Sequence, residues 1–236
     1  MNDKLSLGDR MKGYEREQNS VSWDGSKPVI CRLDGSAFHT LTNGLERPFD
    51  RRMTHSMRQT ARRLADEFNP VFVYTQSDEI TMCFYAPAEL SQLPFGGKQF
   101  KLTSVLASAC TRHFRKSTSI DRLKEAEFDC RCFEVPTKSE AVNCLYWRFL
   151  DCTRNSILSV GQHNFSHKEL QGISCNEIVD MLKGVDPWEE YGPGERFGGF
   201  LTKNNEYMLF SVDMKGANHD ELIELFFGKD EETVDN

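Results

Sequence analysis

Asp34 and the run Ser77-Asp78-Glu79 are the residues whose types and positions could carry chemistry. Asp34-Gly35 closes a short apolar run, Pro28-Val-Ile-Cys-Arg-Leu33, and Ser77-Asp78-Glu79 links two β-rich runs. Aspartates at the ends of neighbouring strands are what a pair of magnesium ions requires. Mg²⁺ takes oxygen ligands in an octahedron and keeps several waters, so one or two carboxylates plus substrate phosphates suffice. Two such ions activate a hydroxyl and stabilise a leaving pyrophosphate in line. Taken singly, Asp-Gly and Ser-Asp are ordinary turn or cap dipeptides. Their pairing on one sheet points to phosphoryl transfer.

The elements that must position these acids follow from periodicity. Residues 28–33 read as a strand closed by a turn. From Asp50 the pattern is helical: Met53, Met57, Ala61, Leu64 and Phe68 share a stripe, Arg51, Arg58 and Arg62 share another face, and Asn69-Pro70 stops the helix. Residues 71–76 and 80–85 form a hairpin. A second helix carries Leu102, Val105, Leu106, Ala109 and His113, and a fourth strand spans 128–135. The order strand, helix, strand, strand, helix, strand is the split βαβ, ferredoxin-like plan of an α+β fold. Its first and third strands lie side by side, and we expect the first antiparallel to the second and parallel to the third. The chain divides into a catalytic part, 1–137, and a helical C-terminal part, 138–236. The latter is mostly helical over 138–184, forms a hairpin over 200–212 and ends in an acidic, disordered tail.

Composition excludes little. No stretch approaches the roughly 18 apolar residues of a membrane helix, and the charged N-terminus lacks an apolar signal core, so the expectation is a soluble cytoplasmic protein. Eight cysteines show no C-x-x-C pair, which favours reduced, buried thiols over zinc. The net charge of −7 argues against a nucleic-acid partner. Six arginines between Arg47 and Arg63, and five basic residues from Lys98 to Lys116, allow a basic face on an acidic protein. Gly192-Pro-Gly-Glu-Arg-Phe-Gly-Gly199 lacks dinucleotide-loop spacing and reads as a plain loop. Ser166 with Glu169 reads as a helix cap. For Tyr146, Trp147 and Phe149, core packing is the plainer use, beside base stacking.

Arg32-Leu-Asp-Gly-Ser-Ala-Phe-His39 and Tyr74-Thr-Gln-Ser-Asp-Glu-Ile80 closely resemble the two metal-site motifs of the histidine-tRNA guanylyltransferase family. Arg47-Pro-Phe-Asp50 resembles its segment contacting a nucleotide base, and Phe95-Gly-Gly-Lys98 with Lys101 a basic element that approaches phosphates. The resemblance runs through Trp147-Arg148 and Asp151 to Asn155. It implies a polymerase-like palm that extends tRNA in the 3′→5′ direction. Asp34, Asp78 and the Gly35 carbonyl would bind two Mg²⁺ ions, with Glu79 as the third acid. The resemblance places nucleotides, ATP and GTP among them, at Gly35, Ser36, Ala37, Phe38, His39, Arg47, Asp50, Ser77, Lys98 and Lys101. It places tRNA at Arg32, Arg148 and Asn155, and it implies a homotetramer.

Two departures refine that picture. Members that guanylate histidine tRNA carry a His-x-Asn stretch where this chain has Thr153-Arg154-Asn155, and a family lysine is Phe197 here. Both fit the bacterial-type "like" branch, associated with templated repair of 5′-truncated tRNAs. The rivals are specific guanylation of histidine tRNA, another palm-type nucleotidyltransferase or cyclase, and a tRNA-binding protein without activity.

Overall fold

The computed structural model describes residues 6–18, 21–87 and 92–229. The disordered end expected at the C-terminus lies mostly outside them. In chain order the elements are α1 (Leu7–Gln18), β1 (Val29–Gly35), α2 (Phe38–Leu41), α3 (Arg51–Phe68), β2 (Phe72–Gln76), β3 (Glu79–Phe84), α4 (Gln99–Ser117), β4 (Phe128–Glu134), α5 (Lys138–Asn164), α6 (His167–Leu170), α7 (Cys175–Leu182), α8 (Pro193–Arg196), β5 (Gly199–Thr202) and α9 (His219–Phe227). The strand order is β4-β1-β3-β2-β5. Its first four members are the ferredoxin-like sheet that the element order predicts.

One expectation of that plan was wrong. β1 pairs antiparallel with β3 as well as with β4, so no neighbouring pair in the sheet is parallel. The reason is the two-residue turn at Ser77-Asp78. It forces β3 to run back along β2, and β3 inserts between β2 and β1, the two strands joined by the α3 crossover. This orientation is what sets the end of β1 against the start of β3.

Strand alternation distributes the side chains between two cores. Val29, Cys31, Leu33, Ile80 and Met82 pack against Met57 and Leu64 of α3 and Leu106 and Phe114 of α4. Ile30, Phe72, Tyr74 and Cys83 pack on the other face, against Val142 and Phe149 of α5 and Phe226 of α9. Residues on either side of position 137 therefore share a core. The strand β5 even extends the sheet along β2. The hairpin expected over 200–212 shrinks to one bridge, Phe200 to Phe210, on the edge of β5 that faces away from β2. Its aromatic side chain stacks on Tyr74, with ring centroids 4.5 Å apart.

Candidate active site

Antiparallel pairing places Asp34 directly opposite Glu79, and the Gly35 amide donates to the Asp78 carbonyl at 3.2 Å. The strand parity that sends Ile30, Tyr74 and Cys83 toward α5 sends Arg32, Asp34, Gln76 and Glu79 the same way. These four residues line an open pocket of about 280 Å³ with Ser77, Asp78, Arg148, Asp151 and Asn155. The turn after β1 is tied down closely. A Cβ at Gly35 would fall inside the Phe38 ring, so only glycine can follow Asp34 here. Phe38 wedges between Phe114 and Phe128, at centroid distances of 5.6 and 5.2 Å. The Ser36 amide donates to the Glu127 carbonyl at 2.9 Å, and Ala37 holds a left-handed φ of 54°. Ser36, Ala37 and His39 are left facing solvent beside the acids.

The three acids are not equivalent. The carboxylate of Glu79 accepts from Arg148 Nε and Nη2 at 2.8 and 2.6 Å and from the Thr81 hydroxyl at 3.3 Å. Both partners of this ion pair are buried, at 10% and 7% side-chain exposure, and Arg148 also reaches Asp151 at 3.0 Å. Glu79 is thus already paired, and Arg148 is committed to holding it. Asp78 has much less. It accepts from the Ser77 hydroxyl at 3.1 Å, and partial burial pushes its carboxyl above the ordinary carboxylate range, with the charges of Asp34 and Glu79 adding to the effect. Among the described residues, no three His, Cys, Asp or Glu side chains converge as a closed metal cage. Two oxygen-bearing acids with open space beside them fit a divalent cation that takes its remaining ligands from water and phosphate.

A second cavity, of about 250 Å³, meets the first along Gln76, Ser77 and Asn155. Its walls include Arg47, Phe49, Asp50, Met53 and Met57 on one side and Cys152 and Ser156 of α5 on the other. Asp50 caps α3. Its carboxylate accepts from the amides of Glu46, Arg52 and Met53 at 3.2, 2.9 and 3.3 Å and from the Arg52 guanidinium, which holds it down at about 2. Asp50 thus lines the cavity with a carboxylate that already serves as a helix cap. The loop read as plain closes the cavity. At Gly198 φ is +78°, and a Cβ would stand 2.7 Å from the Thr75 carbonyl. A Cβ at Gly194 would collide with the Arg58 guanidinium.

The family profile described as tRNAHis guanylyltransferase matches residues 8–136, more than half of the chain. The chain belongs to the tRNAHis guanylyltransferase family. It is therefore a member of a family of nucleotidyltransferases. A bacterial tRNA(His) guanylyltransferase-like protein solved with ATP is 29% identical, superposes with a TM-score of 0.85 and is matched over 94% of this chain and all of its own. A bacterial guanylyltransferase-like protein solved with GTP gives 28% identity and a TM-score of 0.76, over 94% of this chain and 99% of that one. An uncharacterised protein of Acanthamoeba polyphaga mimivirus is 27% identical over 94% of this chain and 89% of its own length.

Not every residue singled out from the guanylyltransferase resemblance reaches the site. Lys98 and Lys101 lie at the start of α4, where Gln99 Nε2 donates to the Cys132 carbonyl. The other end of that helix lies beside Phe128, whose amide donates to Thr111 Oγ1. Asp34 is at the Phe128 end, so both lysines sit toward the opposite end of the strands, with Lys101 Nζ 5.5 Å from the Phe95 ring centre. Trp147 departs from the core-packing reading: it is 53% exposed and lies under the guanidinium groups of Arg32 and Arg148, at 5.6 and 4.7 Å. Phe149 is buried as expected. Thr153 donates to the Phe149 carbonyl at 2.9 Å, and Phe197 is buried against Phe149 and Trp188. Sequence reasoning missed Arg58, Gly194 and Gly198 as cavity walls. The glycine-rich spelling of 192–199 was the one available signal.

Proposed function

We propose that this chain is a magnesium-dependent nucleotidyltransferase that adds nucleotides to the 5′ end of tRNA in the 3′→5′ direction, in templated repair of 5′-truncated tRNA. The observation that carries the reading is the juxtaposition of Asp34 and the underpartnered Asp78 in a pocket that opens into a second, base-sized cavity. One nucleoside triphosphate spans the two, with its base in the second cavity and its phosphates at the acids. Two carboxylates repel a polyphosphate unless cations stand between them, so the donor set calls for Mg²⁺ held by Asp34, Asp78 and the Gly35 carbonyl. Bound there, it would neutralise phosphate charge during in-line displacement.

The chain's own groups supply the positioning. The exposed loop residues Ser36, Ala37 and His39 stand where phosphates enter, and Arg32, with Trp147 beneath it, offers a cation to the tRNA end. Arg148 acts through Glu79 and Asp151, and Asn155 faces both cavities. In the reaction, an oxygen of the tRNA 5′-monophosphate attacks the α-phosphate of ATP and pyrophosphate leaves. The 3′-hydroxyl of the incoming nucleotide then attacks that 5′ phosphate and AMP leaves. A triphosphorylated end needs no first step. The working assembly is a cytoplasmic homotetramer in which several subunits grip one tRNA, an arrangement that suits a subunit of net charge −7.

The family description favours a second reading, specific addition of guanosine to histidine tRNA; Thr153 and the buried Phe197 speak for repair. The test supplies Mg²⁺, ATP and the four nucleotides with two labelled tRNAs, one lacking its 5′-terminal nucleotide and one a histidine tRNA lacking its extra guanosine. Extension of the truncated tRNA that stops at the paired end is expected. Exclusive guanosine addition to the histidine tRNA would replace repair by the second reading, and no product on either would remove both.

A further inference from the structure

Gln76 is the last residue of β2, and β5 does not reach it. β5 pairs with Phe72 through Thr75 and stops at Gly199, so the sheet edge is uncovered where the two cavities meet. Gln76 is only 7% exposed, yet its carboxamide makes no hydrogen bond to any described residue. The adjoining Thr75 hydroxyl is also buried and unpartnered. The little of Gln76 that is exposed faces the space shared by the two cavities, so its amide is open to a partner that enters there. Three residues line both cavities, and the other two already have partners. Ser77 donates to Asp78 at 3.1 Å, and the Asn155 amide reaches Asp151 at 3.4 Å. Gln76 alone has its whole carboxamide, both N–H groups and the carbonyl, unengaged.

We propose that the Gln76 carboxamide hydrogen-bonds the ribose hydroxyls of the bound nucleotide and makes this enzyme discriminate ribonucleotides from deoxy analogues. The inference rests on the reading that one nucleotide spans both cavities. With the base in one and the phosphates in the other, the ribose is the part that passes the shared wall. A hydroxyl is donor and acceptor at once, and a carboxamide matches both functions. A site built to bond a hydroxyl rejects the analogue lacking it, because its own polar group is then left buried and unpaired.

Equilibrium calorimetry on the full chain with Mg²⁺ tests this with ATP, 2′-deoxy-ATP and 3′-deoxy-ATP. The wild-type protein is expected to bind at least one deoxy analogue about tenfold more weakly than ATP, the factor of one hydrogen bond between uncharged groups. Gln76→Met keeps the side-chain length without the amide; it should bind ATP about tenfold more weakly and treat the analogues alike. Equal wild-type affinity for all three ligands would overturn the proposal and needs no variant to fold. So would a Gln76→Met protein that keeps the preference, which would assign Gln76 to some other part of the nucleotide. A wild-type protein that binds no ATP would instead overturn the two-cavity reading beneath it.

Discussion

Two aspartates at the ends of regular elements, Asp50 and Asp78, stand in opposite electrostatic states. Asp50 begins α3 and is surrounded by donors: three backbone amides and the Arg52 guanidinium hold its carboxyl at about 2. Asp78 ends the β2–β3 turn with one hydroxyl donor, and it faces Asp34 and Glu79 across the pocket. One carboxylate is satisfied by the fold and the other is left wanting positive charge. Glu79 lies close to Asp78 in position but belongs with Asp50 in kind, because Arg148 saturates it. What distinguishes these acids is the supply of donors around each rather than its burial.

The strongest way to break this contrast is Asp78→Asn. Nucleotide transfer should fall about a thousandfold or more, as when a group aimed at transition-state charge is lost. Stability should move the other way. The folded carboxyl binds its proton more tightly than the unfolded chain does, so its contribution favours folding below the ordinary carboxylate pKa, near 4, and is lost as pH rises through the raised folded value. At pH 7 Asp78 therefore costs stability and the amide relieves it. Calorimetric melting should give the variant the higher Tm at pH 7, with the gap closing below about pH 4. A variant less stable than wild type at pH 7 would refute the claim that Asp78 is short of partners.

Arg148→Met comes next in size. It strands the Glu79 carboxylate in a buried position, and breaking such a pair costs about 3–5 kcal/mol. Urea unfolding should show that loss, and adding Glu79→Gln should restore most of it, since the uncompensated charge is the source. If the double variant is no more stable than the single one, packing of the arginine stem is the larger contribution.

The sequence carried the acids' positions because turn chemistry and strand alternation are local: Asp34 before Gly35, Asp78 in a two-residue link. It carried the ferredoxin-like order for the same reason, together with the α3 stripe and its stop at Asn69. The direction of β3 relative to β1 is a property of how a crossover and a hairpin combine, and it was misread. Lys98 and Lys101 looked like phosphate ligands beside a glycine pair, yet the crossover aims the start of α4 at the far end of the strands. Trp147 read as core packing rather than base stacking. Its exposure follows from β4, whose outer-face residues Asp129, Arg131 and Phe133 leave that flank of the sheet uncovered. The second cavity could not be read locally, because its walls come from α3, α5 and a glycine loop more than 100 residues downstream of Thr75.

Asp50 gives the smallest and most discriminating test. Asp50→Ala removes the cap of α3 and the anion beside Arg52, a loss of about 2 kcal/mol. Asp50→Asn keeps a capping oxygen but loses the charge, so its loss at pH 7 should be smaller than that of the alanine variant. In the wild type the lowered carboxyl contributes stability above the ordinary value near 4, and that contribution is lost as pH falls toward about 2. The asparagine variant should lack this part of the acid transition, so the two unfolding curves should converge at low pH. Nucleotide binding by Asp50→Asn should remain within a few-fold of wild type, since the carboxylate already serves as a helix cap. A tenfold or larger loss of ATP affinity in a variant that melts normally would show that a saturated cap can still read a ligand, and the contrast with Asp78 would then lie in position rather than in hydrogen bonding.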